Sequence, residues 1–185
     1  MTEAHTPNRR RFLHHTARLA AAGALPALCL PARASTAGER SLALRHTHTG
    51  ERIELVYARG GRYLSAALGS LNHFLRDHYS GDVGVIDPQV FDLLHGVQQR
   101  LGGRSVVEVI SGYRCPDTNA RLRRTRGGGV ASRSMHLDGR AIDVRLSGVP
   151  LPELRDAALS LGVGGVGFYP REGFVHLDTG RVRQW

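Results

Sequence analysis

Between residues 42 and 57, apolar and polar positions alternate on either side of Thr49-Gly50, a period of two that predicts a β-hairpin over residues 42–48 and 52–57. Past Gly60-Gly61 the period changes. Leu64, Leu68, Leu71 and Leu75 recur at helical spacing and predict a helix over residues 63–79, while Pro88 opens a second helix that carries Val90, Leu93, Leu94 and Val97. Residues 105–110 are a β-branched run, read as a buried strand ending at Ser111-Gly112-Tyr113-Arg114. Pro116 then starts a short basic helix over residues 117–126, stopped by Gly127-Gly128-Gly129. The rest reads as a strand over residues 141–146, a helix over 151–161, and two short strands over 166–169 and 174–177. This order implies an α+β fold, a small mainly antiparallel sheet with packed helices.

The chain has 185 residues, 41% hydrophobic and 22% charged, which suits one compact domain and is too short for two once a leader is subtracted. Such a leader is expected over residues 1–34. Asn8-Arg9-Arg10-Arg11-Phe12-Leu13 is a basic start, residues 19–30 are an Ala-rich apolar run, and Ala32-Arg33-Ala34 is a small-x-small cleavage site. The apolar run is about half of the ~20 residues that span a bilayer, so no permanent transmembrane helix is expected there. Paired arginines before Phe12-Leu13 resemble a twin-arginine signal, which implies the twin-arginine export machinery as a partner. Residues 35–41 are small and polar and read as a linker, leaving residues 42–185 for the domain. Cleavage near Ala34 removes Cys29 and leaves Cys115 as the sole thiol. With Pro116 beside it and no obvious His partner nearby, Cys115 reads as core filler rather than a nucleophile.

The formal charge of +9 changes the picture little. All 25 basic residues are arginine, a bias of coding more than of a binding surface, and residues 1–34 hold five of them against Glu3 alone. The cluster Arg121, Arg123, Arg124 and Arg126 reads as a solvated helix face, and export argues against a nucleic-acid partner. A moderately basic body is still attracted to an anionic polymer.

The chemistry concentrates in Ser134-Met135-His136-Leu137-Asp138-Gly139-Arg140-Ala141-Ile142-Asp143. An imidazole and a carboxylate seven positions apart are ligand types that suit zinc; Gly139 puts His136 on a loop, and the β-branched neighbours of Asp143 put it on a strand. A third ligand is available in Gly173-Phe174-Val175-His176-Leu177-Asp178, where alternation sets Phe174, His176 and Asp178 on one strand face. Two His and one Asp leave a fourth position open for water, the catalytic form of a zinc site, at which water can reach a pKa of about 7.

The pattern Ser134-x-His136-x-x-Gly139-x-Ala141-x-Asp143 resembles the zinc motif of the superfamily that contains the D-Ala-D-Ala peptidases and the Hedgehog signalling domain, with His176 at its later ligand. The YcbK-like murein endopeptidase family is more similar still. His48-Thr49-Gly50-Glu51, Ser111-Gly112-Tyr113-Arg114, Thr118-Asn119-Ala120, and the stretch from Gly164 through Phe174-Val175-His176-Leu177-Asp178-Thr179-Gly180 to Trp185 carry that likeness, over about residues 42–185. It implies a periplasmic Zn2+ endopeptidase that hydrolyses peptide cross-links between peptidoglycan stems. Release of a terminal D-alanine, as by a carboxypeptidase, and a catalytically silent zinc module that binds peptidoglycan are the alternatives within the superfamily.

By matching positions, the resemblance implies that Arg114 corresponds to the superfamily arginine that holds the substrate carbonyl or carboxylate, where a fixed cation would stabilise a developing oxyanion. Superfamily members often place a Glu three residues, or a His two residues, before the last ligand as general base. This chain has Gly173 and Phe174 there. Asp178 is then either the base for the metal water or the carboxylate that orients a ligand histidine. Glu172 and Asp138 are weaker candidates, and Ser134 either bonds to Asp143 or caps the loop.

Overall fold

The computed structural model describes residues 38–103, 105–125 and 130–185; the expected leader over residues 1–34, Arg126 and the glycine stop at 127–129 lie outside the described residues. The alternating segments form strand β1 (Glu39–His46) and strand β2 (Arg52–Arg59), paired antiparallel with Leu42 opposite Leu55 and Leu44 opposite Ile53. β1 starts inside the polar stretch read as a linker, because Glu39 and Arg40 find ladder partners in Arg59 and Ala58. Tyr63 is not helical as expected. It belongs to strand β3 (Arg62–Tyr63), which folds back on β2. Gly60 and Gly61 have φ of +53° and +79°, the left-handed pair that a two-residue hairpin turn requires.

Helix α1 covers Ser65–Phe74 only, shorter than the leucine spacing predicted. Past it, the Asp77 carboxylate accepts from the amides of Tyr79 and Cys115, both at 2.9 Å. An aspartate that binds nearby backbone in this way competes with helix continuation. Helix α2 (Pro88–Arg100) begins where Pro88 indicated, capped by Asp87, whose side chain accepts from the Gln89 amide at 3.0 Å. Strand β4 (Val107–Ser111), helix α3 (Pro116–Thr125), strand β5 (Ala141–Leu146), helix α4 (Leu151–Leu159), strand β6 (Gly165–Tyr169) and strand β7 (Phe174–Asp178) follow the predicted order. Strand β8 (Arg183–Gln184) was not foreseen; two residues are too few to show a period.

All eight strands join one sheet in the order β3-β2-β1-β4-β5-β7-β6-β8, antiparallel except for the pairs β1·β4 and β6·β8. The α+β architecture therefore stands, on a wider sheet than the hydrophobic pattern outlined. Leu42, Leu44, Val107, Val109, Ile142, Val144, Val175 and Leu177 share one buried cluster with Phe91, Leu94 and Val97 of α2 and Leu154 and Ala158 of α4. Removing such side chains from water, at about 25 cal/mol per Å² of apolar surface, is the main force holding sheet and helices together.

Between those core positions, the period of two turns the intervening side chains to the opposite face. Arg45, Glu108 and Arg145 are register partners across β1, β4 and β5, and Glu108 accepts from Arg45 at 2.6 Å, Arg145 at 2.7 Å and Ser147 at 2.7 Å. Ser147 above all, then Arg145 and Arg45, hold the Glu108 carboxyl down to about 2 against the upward push of burial. A carboxyl that binds its proton less tightly when folded adds stability that is complete above its unfolded pKa, about 4.3, and is lost as pH falls toward 2. Glu108→Gln is expected to lower the melting temperature at pH 7 by about 3 °C, since both arginines are half-exposed and the net loss is ~1 kcal/mol. Scanning calorimetry from pH 7 to pH 2 should show the gap between variant and parent close on acidification; a constant gap would mean that charge is not its source.

Candidate metal centre

The ladder itself assembles the site. Asp143 on β5 is the direct register partner of His176 on β7, and Ser111 at the end of β4 sits opposite Asp143. His136 comes from the loop ahead of β5, which is closed by bonds from the Arg140 amide to the Met135 carbonyl at 2.9 Å and from the Asp87 amide to the Gly139 carbonyl at 2.9 Å. Gly139 sits at φ +63°, and a Cβ there would fall 2.0 Å from the Val85 carbonyl oxygen, so only glycine fits this crossing. Ser134 caps the loop, its hydroxyl accepting from the His136 amide at 3.4 Å.

All three side chains are buried, and one donor atom of each lies within 4.8 Å of the others. His136 Nε2 is 3.3 Å, and His176 Nδ1 2.8 Å, from the same oxygen, Oδ1 of Asp143. The far side of each ring is held as well. His136 Nδ1 lies 2.7 Å from the Gly112 carbonyl, which can only accept, so Nδ1 carries a proton and Nε2 is the nitrogen turned toward Asp143. His176 Nε2 lies 3.1 Å from Oδ2 of Asp178 and leaves Nδ1 toward Asp143.

Asp178 is wholly buried and heavily committed. Its Oδ1 accepts from the amides of Gly165 at 3.1 Å and Gly180 at 2.8 Å and from Arg183 Nη1 at 3.1 Å, while Arg183 Nη2 reaches Oδ2 at 2.6 Å. Burial alone would raise this carboxyl, but His176, Arg183 and the Gly180 amide together hold it well below the usual carboxylate range. Asp143 is likewise pushed up by burial and pulled well below that range by His136 and His176. For His176 burial works downward, and Asp143 and Asp178 overcome it, so the imidazole is pushed up to about 9.

This pocket thus stabilises positive charge between two buried carboxylates, the property a metal ion needs from its site. Donor chemistry agrees. Two imidazole nitrogens and a carboxylate oxygen form a set that zinc accepts, and bonds of about 2.0–2.1 Å at tetrahedral angles would put such donors roughly 3.3 Å apart. The 3.3 Å from His136 Nε2 to Asp143 meets that spacing, and the 2.8 Å from His176 Nδ1 is somewhat tighter.

Arg114 lies just past β4, its amide donating to the His136 carbonyl at 3.2 Å, so its backbone is tied to the loop that carries His136. Its guanidinium donates to Asn119 Oδ1 at 3.3 Å, and Asn119, buried in α3, donates to the Ala131 carbonyl at 3.2 Å. Glu172 and Asp138 are exposed on loops. Cys115 is buried and free, with its sulfur 3.4 Å from the Thr118 hydroxyl, as expected of core filler. Sequence reasoning missed three contributors. Gly112 acts through a carbonyl, which any residue carries; Arg183 is one arginine among many; and Asn119 carried a signal only through the family motif.

Comparison with known proteins converges on one family. A family profile described as peptidoglycan L,D-endopeptidase MepK matches residues 34–185. The peptidoglycan L,D-endopeptidase MepK of Escherichia coli K12 is 44% identical over 178 residues, covering 96% of this chain and 97% of the relative, and that of Shigella flexneri matches equally. A probable peptidoglycan L,D-endopeptidase MepK of Haemophilus influenzae is 42% identical over 155 residues, 83% of each chain. With the profile spanning the whole described domain, the chain belongs to the peptidoglycan L,D-endopeptidase MepK family.

Proposed function

We propose that this protein is a zinc-dependent endopeptidase that hydrolyses amide bonds between an L and a D centre in the peptide cross-links of peptidoglycan. The observation that carries this reading is the buried donor set of His136, Asp143 and His176, in a chain from a family whose members are named for that activity. His136 would hold the metal through Nε2, His176 through Nδ1 and Asp143 through its carboxylate. Zinc bound there would supply Lewis-acid activation of water and of the scissile carbonyl near neutral pH.

Arg114 is assigned to the carbonyl oxygen as charge develops on it. Asp178 is assigned to positioning. What favours this role over that of a base is its place behind His176, on the nitrogen that faces away from Asp143, with both oxygens already bound. A carboxylate so placed fixes the tautomer and angle of a ligand histidine. The leader over residues 1–34 fits this reading, since its substrate lies outside the cytoplasm: twin-arginine export to the periplasm with cleavage near Ala34. Among the described residues no helix is long and apolar enough to cross a membrane.

The test is to incubate the purified full-length chain with intact peptidoglycan sacculi after chelation, with and without added zinc, beside His176→Ala, and to separate the released fragments by chromatography. Loss of cross-linked fragments that needs both zinc and His176 is the expected result, and fragment masses identify the bond. A folded, zinc-loaded protein that releases nothing would instead be a binding module, and one that releases terminal alanine alone a carboxypeptidase.

A further inference from the structure

Trp185 is the sole tryptophan of the chain, and half of its surface is exposed. A single exposed aromatic is ordinary, but this ring is also fixed from several directions. Its Nε1 donates to the Tyr169 hydroxyl at 2.7 Å, the Arg183 guanidinium stacks 4.8 Å from its centre, and its backbone amide and carbonyl pair with Val166 and Phe168 of β6. A Cβ built on Gly167 would fall 2.7 Å from the ring, so the sheet leaves out a side chain where the indole lies. Gly167 is the register partner of His176, and the two share a sheet face. On that face the indole and imidazole centres are 5.3 Å apart, tilted by 52°.

Arg183 joins the two sides of this arrangement, holding Asp178 with both η nitrogens while it stacks on Trp185. The indole is therefore registered against the ligand set through its own stacking cation. A half-exposed, immobilised aromatic beside a ligand of the candidate metal presents an apolar wall at low entropic cost, because its rotamer is already fixed.

From this geometry we infer that Trp185 is a substrate-positioning residue, whose indole forms an apolar wall beside His176 and packs against the aliphatic side chain of the stem-peptide residue next to the scissile amide. This rests on the endopeptidase reading above and adds to it where, beside the metal, the substrate is gripped. The wall should act on binding more than on chemistry, since an apolar contact is equal in ground and transition states.

Because no other tryptophan contributes, emission reports on this ring alone. The experiment titrates the metal-free full-length protein with a purified cross-linked muropeptide dimer and follows both calorimetric heat and tryptophan emission. In the zinc-loaded protein, Trp185→Ala and Trp185→Phe are compared for KM and kcat on the same dimer. Expected are a blue shift that saturates with the calorimetric isotherm, a KM raised about tenfold in Trp185→Ala with kcat little changed, and most of that loss recovered in Trp185→Phe. Calorimetric binding with unchanged emission would overturn the assignment and leave the endopeptidase reading intact, even if Trp185→Ala failed to fold. Absence of both dimer binding and zinc-dependent hydrolysis of sacculi would overturn that reading and this inference with it.

Discussion

Asp143→Ala is expected to reduce zinc-dependent hydrolysis of sacculi by about a thousandfold or more and to strip the purified protein of stoichiometric metal. One carboxylate oxygen sits between the imidazoles of His136 and His176, at 3.3 Å and 2.8 Å, so its loss removes the negative centre of the site along with one candidate donor. A bound metal contributes several kcal/mol of charge stabilisation to such a reaction, and each 1.36 kcal/mol is a factor of about ten. Asp178→Asn is the informative comparison. It keeps the shape and one acceptor, and as a positioning residue it should cost only about 10–100-fold. Metal content by atomic emission and rates on sacculi, with circular dichroism to verify folding, check both. An Asp143→Ala protein that kept its zinc and its rate would exclude this set of ligands; a loss in Asp178→Asn equal to that in Asp143→Ala, with metal retained, would return Asp178 to the role of base.

Gly139→Ala is expected to lower stability by about 3–5 kcal/mol, in the range reserved for mutations with a named steric cause, and to weaken zinc binding with it. Two costs combine. The residue sits at φ +63°, where a side chain adds strain of about 1–3 kcal/mol, and the new methyl would stand 2.0 Å from the Val85 carbonyl oxygen, a backbone atom that cannot step aside alone. Relief requires the His136 loop to lift away from the segment before α2, which carries the His136 ring off Asp143. Gly148 serves as the control, with φ +77° and nothing within 4 Å, so Gly148→Ala should show only the backbone penalty of about 1 kcal/mol. Urea unfolding curves and zinc titrations measure both effects. Equal losses from the two substitutions would mean that the contact with Val85 is not what holds the loop.

Local periodicity was informative where an element buries one face along its whole length. The β1–β2 hairpin, α2 and β5 have long enough apolar patterns, or a proline start, for their type to be read directly. The pattern was misleading for α1, because Leu75 remains buried after the helix has ended, so apolar spacing continued where helical hydrogen bonding did not. For β3 and β8 no pattern exists, since each has two residues and owes its conformation to the strand beside it.

Within the site, the sequence alone singled out the three candidate ligands, by residue types that suit zinc and by the family motif, and placed His136 on a loop and Asp143 and His176 on strands. It also put Asp178 on the face of His176, since that follows from a period of two. Only the tertiary structure decided that Asp143 and His176 stand opposite each other, that the Gly112 carbonyl sets the tautomer of His136, and that Arg183 ties Asp178 to Trp185. These depend on the register of strands far apart in the chain and on backbone groups that every residue shares, and pairing energy accumulated across the whole sheet selects that register.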